Sequence, residues 1–229
     1  MSSALLEPSA PAHRRARRKQ ERPGELLDAA LTLFVEKGYA ATRMDEVASR
    51  AGVSKGTVFL YFPSKLDLFK AVVKHNISDR FEQWNARFEQ FDGTSADLLR
   101  MTMLLWWERI GSTRASGISK LMMSEGGNFP EMADFFHQAV IQPGQNILRS
   151  VIQRGIERGE FQAIHIDHAV HGVVSVMVFL ALSRHCPSLC TQELMKLDPV
   201  AYINDQARFI TQALSAPVPV SSAFPGSPS

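Results

Sequence analysis

Lys55, Gly56, Thr57 and Tyr61 follow a Gly52-Val53-Ser54 turn within seven residues, and their types suit contact with a phosphodiester backbone. A lysine reaches a phosphate or a base edge, a glycine lets a helix N-terminus come close, and threonine and tyrosine hydroxyls donate to phosphate oxygens. Thr42 and Lys65 stand at the expected N-termini of the neighbouring helices, where aligned backbone dipoles and unpaired N–H groups favour an anion. Little in the chain supports catalysis. It has no glycine-rich phosphate loop, no GxSxG, no HExxH and no cysteine pair in a zinc-finger frame, so neither enzyme activity nor a cofactor is expected.

A second constellation is apolar. Met103, Trp106, Trp107, Met122, Phe135, Phe136 and Met177 crowd the middle helices, with Leu104 and Met123 beside them. Such a cluster at helical spacing builds either plain core or the wall of an apolar ligand site, because methionine adapts its shape and tryptophan offers a flat surface. Glu108, Glu125, Asp134 and His137 are candidates to orient a polar end of that ligand. His165, His168 and His171 recur every three residues, followed by His185, Cys186 and Cys190. His165 precedes the expected helix and Pro187 interrupts the cysteine spacing, so a structural or surface role is expected and no metal site.

These residues need elements to position them. With 229 residues, 45% hydrophobic and 21% charged, the chain has enough apolar material for a substantial core. Its net charge of +2 is unevenly spread: residues 1–80 carry 14 Lys/Arg against 9 Asp/Glu, and the remainder is net acidic. Apolar residues recur at three and four almost throughout, without sustained period-two alternation, which predicts an all-α protein of about nine helices. Leu26, Leu27, Ala30, Leu31, Phe34 and Val35 make the face of the first, and Gly38 is its left-handed stop. Thr42 and Asp45 have capping-box spacing for a second, at about 43–51. Ser54 caps a third that Pro63 closes, with Val53 and Val58 placed as a hydrophobic staple. Ser64 and Asp67 open a fourth, at about 65–88. Further helices are predicted at about 95–112, 115–125, 130–159, 167–185 and 199–214, with Pro143-Gly144 kinking or splitting the third of these. The second and third helices have the dimensions of a helix-turn-helix, with Lys55, Thr57 and Tyr61 outward and Phe59 and Leu60 at the margins.

Residues 26–69, LLDAALTLFVEKGYAATRMDEVASRAGVSKGTVFLYFPSKLDLF, resemble the N-terminal DNA-binding domain of the TetR family of transcriptional regulators. The likeness includes Gly38-Tyr39, Thr42, the turn from Ala51 to Thr57, and Tyr61-Phe62 followed by Ser64-Lys65. It implies an N-terminal three-helix DNA-binding domain and a C-terminal helical domain for ligand sensing and dimerisation. It also implies a homodimer on double-stranded, pseudo-palindromic operator DNA, usually a repressor, whose operator binding a small-molecule effector changes. Position by position it puts Thr42, Ser54, Lys55, Gly56, Thr57, Phe59, Tyr61 and Lys65 at or near DNA. The family usually has tyrosine at position 59 and an aromatic or histidine at 60, where this chain has Phe59 and Leu60.

The expected organisation is a flexible basic arm over 1–19, a DNA-binding domain over 20–80 with its helix-turn-helix at 43–62, a sensing and dimerisation domain over 81–215, and a disordered Pro/Ser tail over 216–229. The helices at about 167–185 and 199–214 are apolar around most of their circumference, which calls for cover by a partner subunit or by burial within one subunit, and the resemblance makes them the dimer interface. No secretory leader opens the chain, and the longest apolar run, Val173–Leu182 interrupted only by Ser175, falls short of a bilayer span. A cytoplasmic protein without membrane insertion is expected. A non-specific architectural DNA binder is the alternative function, and the acidic balance of residues 81–229 weighs against it.

Overall fold

The structure is a computed structural model that describes residues 10–186 and 196–215. Helix is the only regular structure among them. Helix α1 is Ala10–Lys37, α2 Met44–Arg50 and α3 Lys55–Tyr61. Helix α4 spans 65–89 and α5 spans 95–111; a short 3-10 turn at Arg114–Ser116 leads into α6, Gly117–Glu125. Helix α7 spans 130–157, α8 is Ile166–His185 and α9 is Pro199–Ser215. Three of them contain a wider π turn: Lys74–Ser78 in α4, Trp107–Gly111 in α5 and His137–Ile141 in α7.

Local chemistry sets most of the boundaries. Gly38 at φ +89° ends α1 and Gly52 at φ +66° turns α2 into α3, both in the left-handed region that a side chain disfavours. Ser54, Ser64 and Thr94 cap α3, α4 and α5, each accepting from the backbone N–H three residues on. Val53 and Val58 pack into one core, as a staple requires. Two boundaries differ from expectation. Arg43, not Thr42, caps α2: the Arg43 N–H donates to Glu46 Oε2, while Asp45 pairs with the Arg43 side chain. Helix α1 begins at Ala10, so residues 10–19 of the expected flexible arm are helical, and Pro23 lies inside the helix. The rest of that arm and the expected tail at 216–229 lie outside the described residues.

Pro143 neither breaks nor splits α7. Having no N–H, it leaves the Ala139 carbonyl without its helical donor, and the Ser78 hydroxyl donates to that carbonyl at 2.9 Å. The π turns of α4 and α7 thus meet where the proline would otherwise leave an acceptor unpaired.

One core joins α1, α2, α3 and α4 to α6 and the start of α7 through Leu26, Phe34, Val47, Val58, Phe69 and Ile118. A second fills the space between α5, α7, α8 and α9 around Leu99, Met103, Ile152, Val173 and Ile203. The division expected at residue 80 falls inside α4, and the first core crosses it. Helix α8, with 20 residues and a mean hydropathy of 1.6 over its most apolar 18, is long and apolar enough to cross a bilayer by length and composition alone, a test that the core helix of a globular protein also passes. Val170, Val173, Leu180 and Ala181 use that apolarity inside the molecule, while His168, His171 and Ser175 lie exposed on the same helix.

Glu160 satisfies the first N–H of α5 by accepting from the Ser95 backbone. Burial works to raise its carboxyl, but the Ser95 hydrogen bonds and the Arg158 and Arg154 guanidinium groups outweigh this and hold its pKa below the ordinary 4.5. The stabilisation is therefore complete above pH 4.5 and is lost as the pH falls through the lowered value. Glu160→Gln is expected to destabilise the protein by about 1 kcal/mol at neutral pH. In urea titrations the gap to wild type should close under acid conditions; a gap independent of pH would refute this role.

Candidate DNA-binding face and ligand cavity

Helix α3 buries Val58 completely against the first core, which turns the opposite side outward. Lys55 and Gly56 are exposed there, and the Lys55 ammonium lies 5.9 Å from the centre of the Phe59 ring. Leu60 is the most open, at 80% exposure, and Phe59 stands at 41%. Thr57 and Tyr61 are half-buried, so the exposed surface belongs to Lys55, Gly56, Phe59 and Leu60, the last two of which the sequence puts at the margins. Ser54 accepts from the Thr57 N–H at 3.1 Å and its hydroxyl pairs with that of Thr57 at 2.9 Å. A side chain on Gly56 would meet nothing closer than Ser54 Oγ at 3.8 Å, so the backbone there is open to approach. Ser54, Lys55, Gly56, Thr57, Phe59 and Tyr61 thus share one end of the molecule.

Thr42 and Lys65 do not join them. Thr42 is 2% exposed and its hydroxyl donates to the Gly38 carbonyl at 2.6 Å. The Lys65 ammonium donates to the carbonyls of Tyr39 at 2.7 Å, Ala40 at 3.1 Å and Thr42 at 3.0 Å, and sits 4.5 Å from the Tyr39 ring centre. Burial lowers its pKa from the ordinary value, against the opposing pull of Glu125. Both residues fasten the α1–α2 turn, and in this arrangement the hydrogen-bond donors of both side chains are engaged by backbone carbonyls. The N–H groups of the same turn are held from the other side, Tyr39 by Glu125 Oε1 at 3.0 Å and Ala40 by Oε2 at 2.8 Å. Glu125, one of four candidates in the sequence to orient a ligand's polar end, thus binds this turn instead.

A cavity of about 630 Å³ lies between α4, α5, α6, α7 and α8. Of the apolar cluster read from sequence, Trp106, Met122, Met123, Phe136 and Met177 line it. Met103 is wholly buried in the second core, and Trp107 packs there too, with the Arg184 guanidinium 5.5 Å from its ring. Phe135 turns aside to Lys70, whose ammonium is 5.6 Å from its ring. The two tryptophans diverge across the π turn of α5, where any side chain on Gly111 would strike both rings at 2.6 and 2.7 Å. Phe81, Trp84, Val140 and Gly144 complete the wall and were not foreseen, since π turns reset which residues of a helix point inward. Asp134, His137 and Gln145 are its polar residues on α7, and Asp134 and His137 are exposed.

The His165 and His168 rings stack at 3.9 Å and are exposed, and His171 Nδ1 lies 2.6 Å from the Asp167 carbonyl. Among the described residues no three His, Cys, Asp or Glu side chains are grouped to hold a metal. Cys186 is a thiol, and Cys190 lies outside the described residues.

Comparison with known proteins agrees with this arrangement. Residues 26–72 match the family model described as bacterial regulatory proteins, tetR family. The chain is 48% identical over 61 residues to the HTH-type transcriptional activator FasR of Mycolicibacterium smegmatis, a match spanning 27% of this chain and only 28% of that protein. Over 146 residues it is 30% identical to the HTH-type transcriptional regulator YvkB of Bacillus subtilis, covering 62% of this chain and 74% of YvkB. The crystal structure of the transcriptional regulator FadR from Bacillus subtilis in complex with stearoyl-CoA superposes with a TM-score of 0.60 at 18% identity, over 82% of this chain and 97% of that one. With the helix-turn-helix matched by the family model and the similarity to YvkB running on into the helical body, the chain belongs to the TetR family of DNA-binding transcriptional regulators.

Proposed function

We propose that the protein is a dimeric, cytoplasmic repressor, not an enzyme, and that a largely hydrocarbon molecule with a polar end controls its hold on a pseudo-palindromic operator. The cavity carries this reading. Its volume of about 630 Å³ falls in the range of small-molecule sites, and its wall of Phe81, Trp84, Trp106, Phe136 and Met177 offers almost nothing but apolar surface. Asp134, His137 and Gln145 supply a polar edge for the headgroup. A long-chain acyl compound has this shape and polarity, and the structurally similar FadR is described with stearoyl-CoA. Ligand that prefers the conformation with wrongly spaced recognition helices shifts the population away from the operator.

Dimerisation through α8 and α9 is supported by the large apolar side chains they leave open: Phe179 at 41%, Val200 at 47% and Phe209 at 56%. On DNA, Lys55 is the recognition-helix cation, Gly56 permits close approach, and Phe59 and Leu60 pack on thymine methyl groups. The Arg14–Arg22 segment adds sequence-independent attraction, and lies along the backbone or in the minor groove.

Three measurements test this reading. Stearoyl-CoA should shift the emission of Trp84 and Trp106 with saturable binding, and Val140→Asp, which puts a carboxylate in the apolar wall, should weaken it at least tenfold; no binding by any long-chain acyl compound would sink the acyl assignment. Phe179→Glu with Phe209→Glu should convert the dimer to monomer in sedimentation velocity, and an unchanged dimer would place the interface elsewhere. Lys55→Ala should cost about 1 to 3 kcal/mol of operator affinity and lower the salt slope. Equal affinity for operator and scrambled DNA would favour the architectural alternative.

A further inference from the structure

We infer that Glu125 is the positioning residue through which occupancy of the cavity reaches the DNA-binding helices. The inference rests on the cavity being the effector site. Glu125 is the last residue of α6, and the same stretch of backbone gives Ser119, Met122, Met123, Gly126 and Gly127 to the cavity wall. Its carboxylate reaches away from that wall and accepts from the Tyr39 and Ala40 N–H groups, 86 and 85 residues distant in the chain. The fit is tight: a Cβ on Gly38 would lie 2.1 Å from Glu125 Oε1. The Tyr39 ring meets Phe129, just past the glycine pair, at 4.8 Å between centres. One continuous stretch of chain, 119–129, therefore contributes to the cavity wall on one side and to the seat of the α1–α2 turn on the other.

An occupant that shifts the backbone between Met122 and Gly126 carries Glu125 with it, because Glu125 lies between them at the end of the helix. Charge-assisted hydrogen bonds at 2.8 and 3.0 Å do not survive a displacement of about 1 Å. The turn then loses the acceptor for two N–H groups and shifts with α2, which follows at once, and with α3. Transmission along α4, which runs from the helix-turn-helix to the cavity, is the competing route.

The test uses the full-length chain with Glu125→Gln and Glu125→Asp, the first removing charge and the second reach. Coupling is the ratio of operator Kd with and without an occupant, which is either saturating stearoyl-CoA or an indole introduced by Ala133→Trp or Met122→Trp. Wild type should show a ratio of at least tenfold, and both Glu125 variants less than twofold, while stearoyl-CoA binds the DNA-free variants within twofold of wild type. A carboxylate with only a structural role would lower Tm and weaken operator binding yet leave the ratio at its wild-type value, and that result overturns the inference in favour of α4. So does a wild-type ratio of one with both indole variants, since nothing then leaves the cavity. Failure of stearoyl-CoA to bind wild type counts against the acyl assignment alone, and the indole variants then decide.

Discussion

Backbone polar groups that lie outside a helical ladder still need partners, and at the α1–α2 turn they find them in side chains from later parts of the chain. Helix α1 ends at Gly38 in a left-handed conformation, and the next residues make a single backbone hydrogen bond among themselves, from the Thr42 N–H to the Tyr39 carbonyl at 3.3 Å. Two ionised side chains replace the missing ladder. Glu125 takes two N–H groups from the side of the helical body, and Lys65 takes three carbonyls from α4. The turn is thus pinned by parts of the chain that come after the helix-turn-helix it introduces. Tyr39 reinforces this, its ring meeting Phe34, Phe69 and Phe129. The orientation of α2 and α3 is consequently a property of the whole subunit.

The cavity has a comparable physical origin. A π turn inserts an extra residue into a helix and rotates everything beyond it, so side chains that would have faced one another diverge. Such turns lie beside or within the cavity wall in α4, α5 and α7, and Phe81, Trp106, His137 and Val140 come from them or their flanks. The cost is partly offset where Ser78 donates to the Ala139 carbonyl that Pro143 leaves without a donor. Gly111 plays the matching part in α5, leaving room for two adjacent tryptophans, of which one faces the cavity and the other the second core.

What was legible in the sequence was local. Ser54 and Ser64 announce helix starts, Gly38 and Gly52 announce stops, and the three-and-four spacing of Leu26, Ala30 and Phe34 marks a buried face, because each signal acts within one or two turns. Five apolar cavity residues, Trp106, Met122, Met123, Phe136 and Met177, were found the same way, from composition within single helices, as were the polar Asp134 and His137. The misses are mostly non-local, the α2 cap at Arg43 and the helical start of α1 at Ala10 being the local ones. Thr42 and Lys65 carry the right chemistry for phosphate, but a turn more than twenty residues upstream of Lys65 claims its ammonium first. Glu125 acts 86 residues away, a distance at which a lone carboxylate leaves no pattern to read. Trp107 and Phe135 share the spacing of their cavity-facing neighbours, and the π turn of α5 and the Lys70 contact, neither visible as periodicity, send them elsewhere.

The composition of the recognition helix gives this non-local control its force. In the proposed complex Phe59 and Leu60 offer base edges only dispersion and methyl contacts, and Lys55 is the helix's one cation, so bidentate base pairing contributes little. Affinity then depends on how many modest contacts to phosphates and methyl groups are made at once, in two successive major grooves. Contacts of that kind fall together when the helix is displaced, whereas a single strong arginine–guanine pair could hold a half-site through a small shift. A recognition surface built on simultaneous weak contacts is therefore a sensitive reporter of its own orientation. That orientation is set by the turn which Lys65 and Glu125 hold between them.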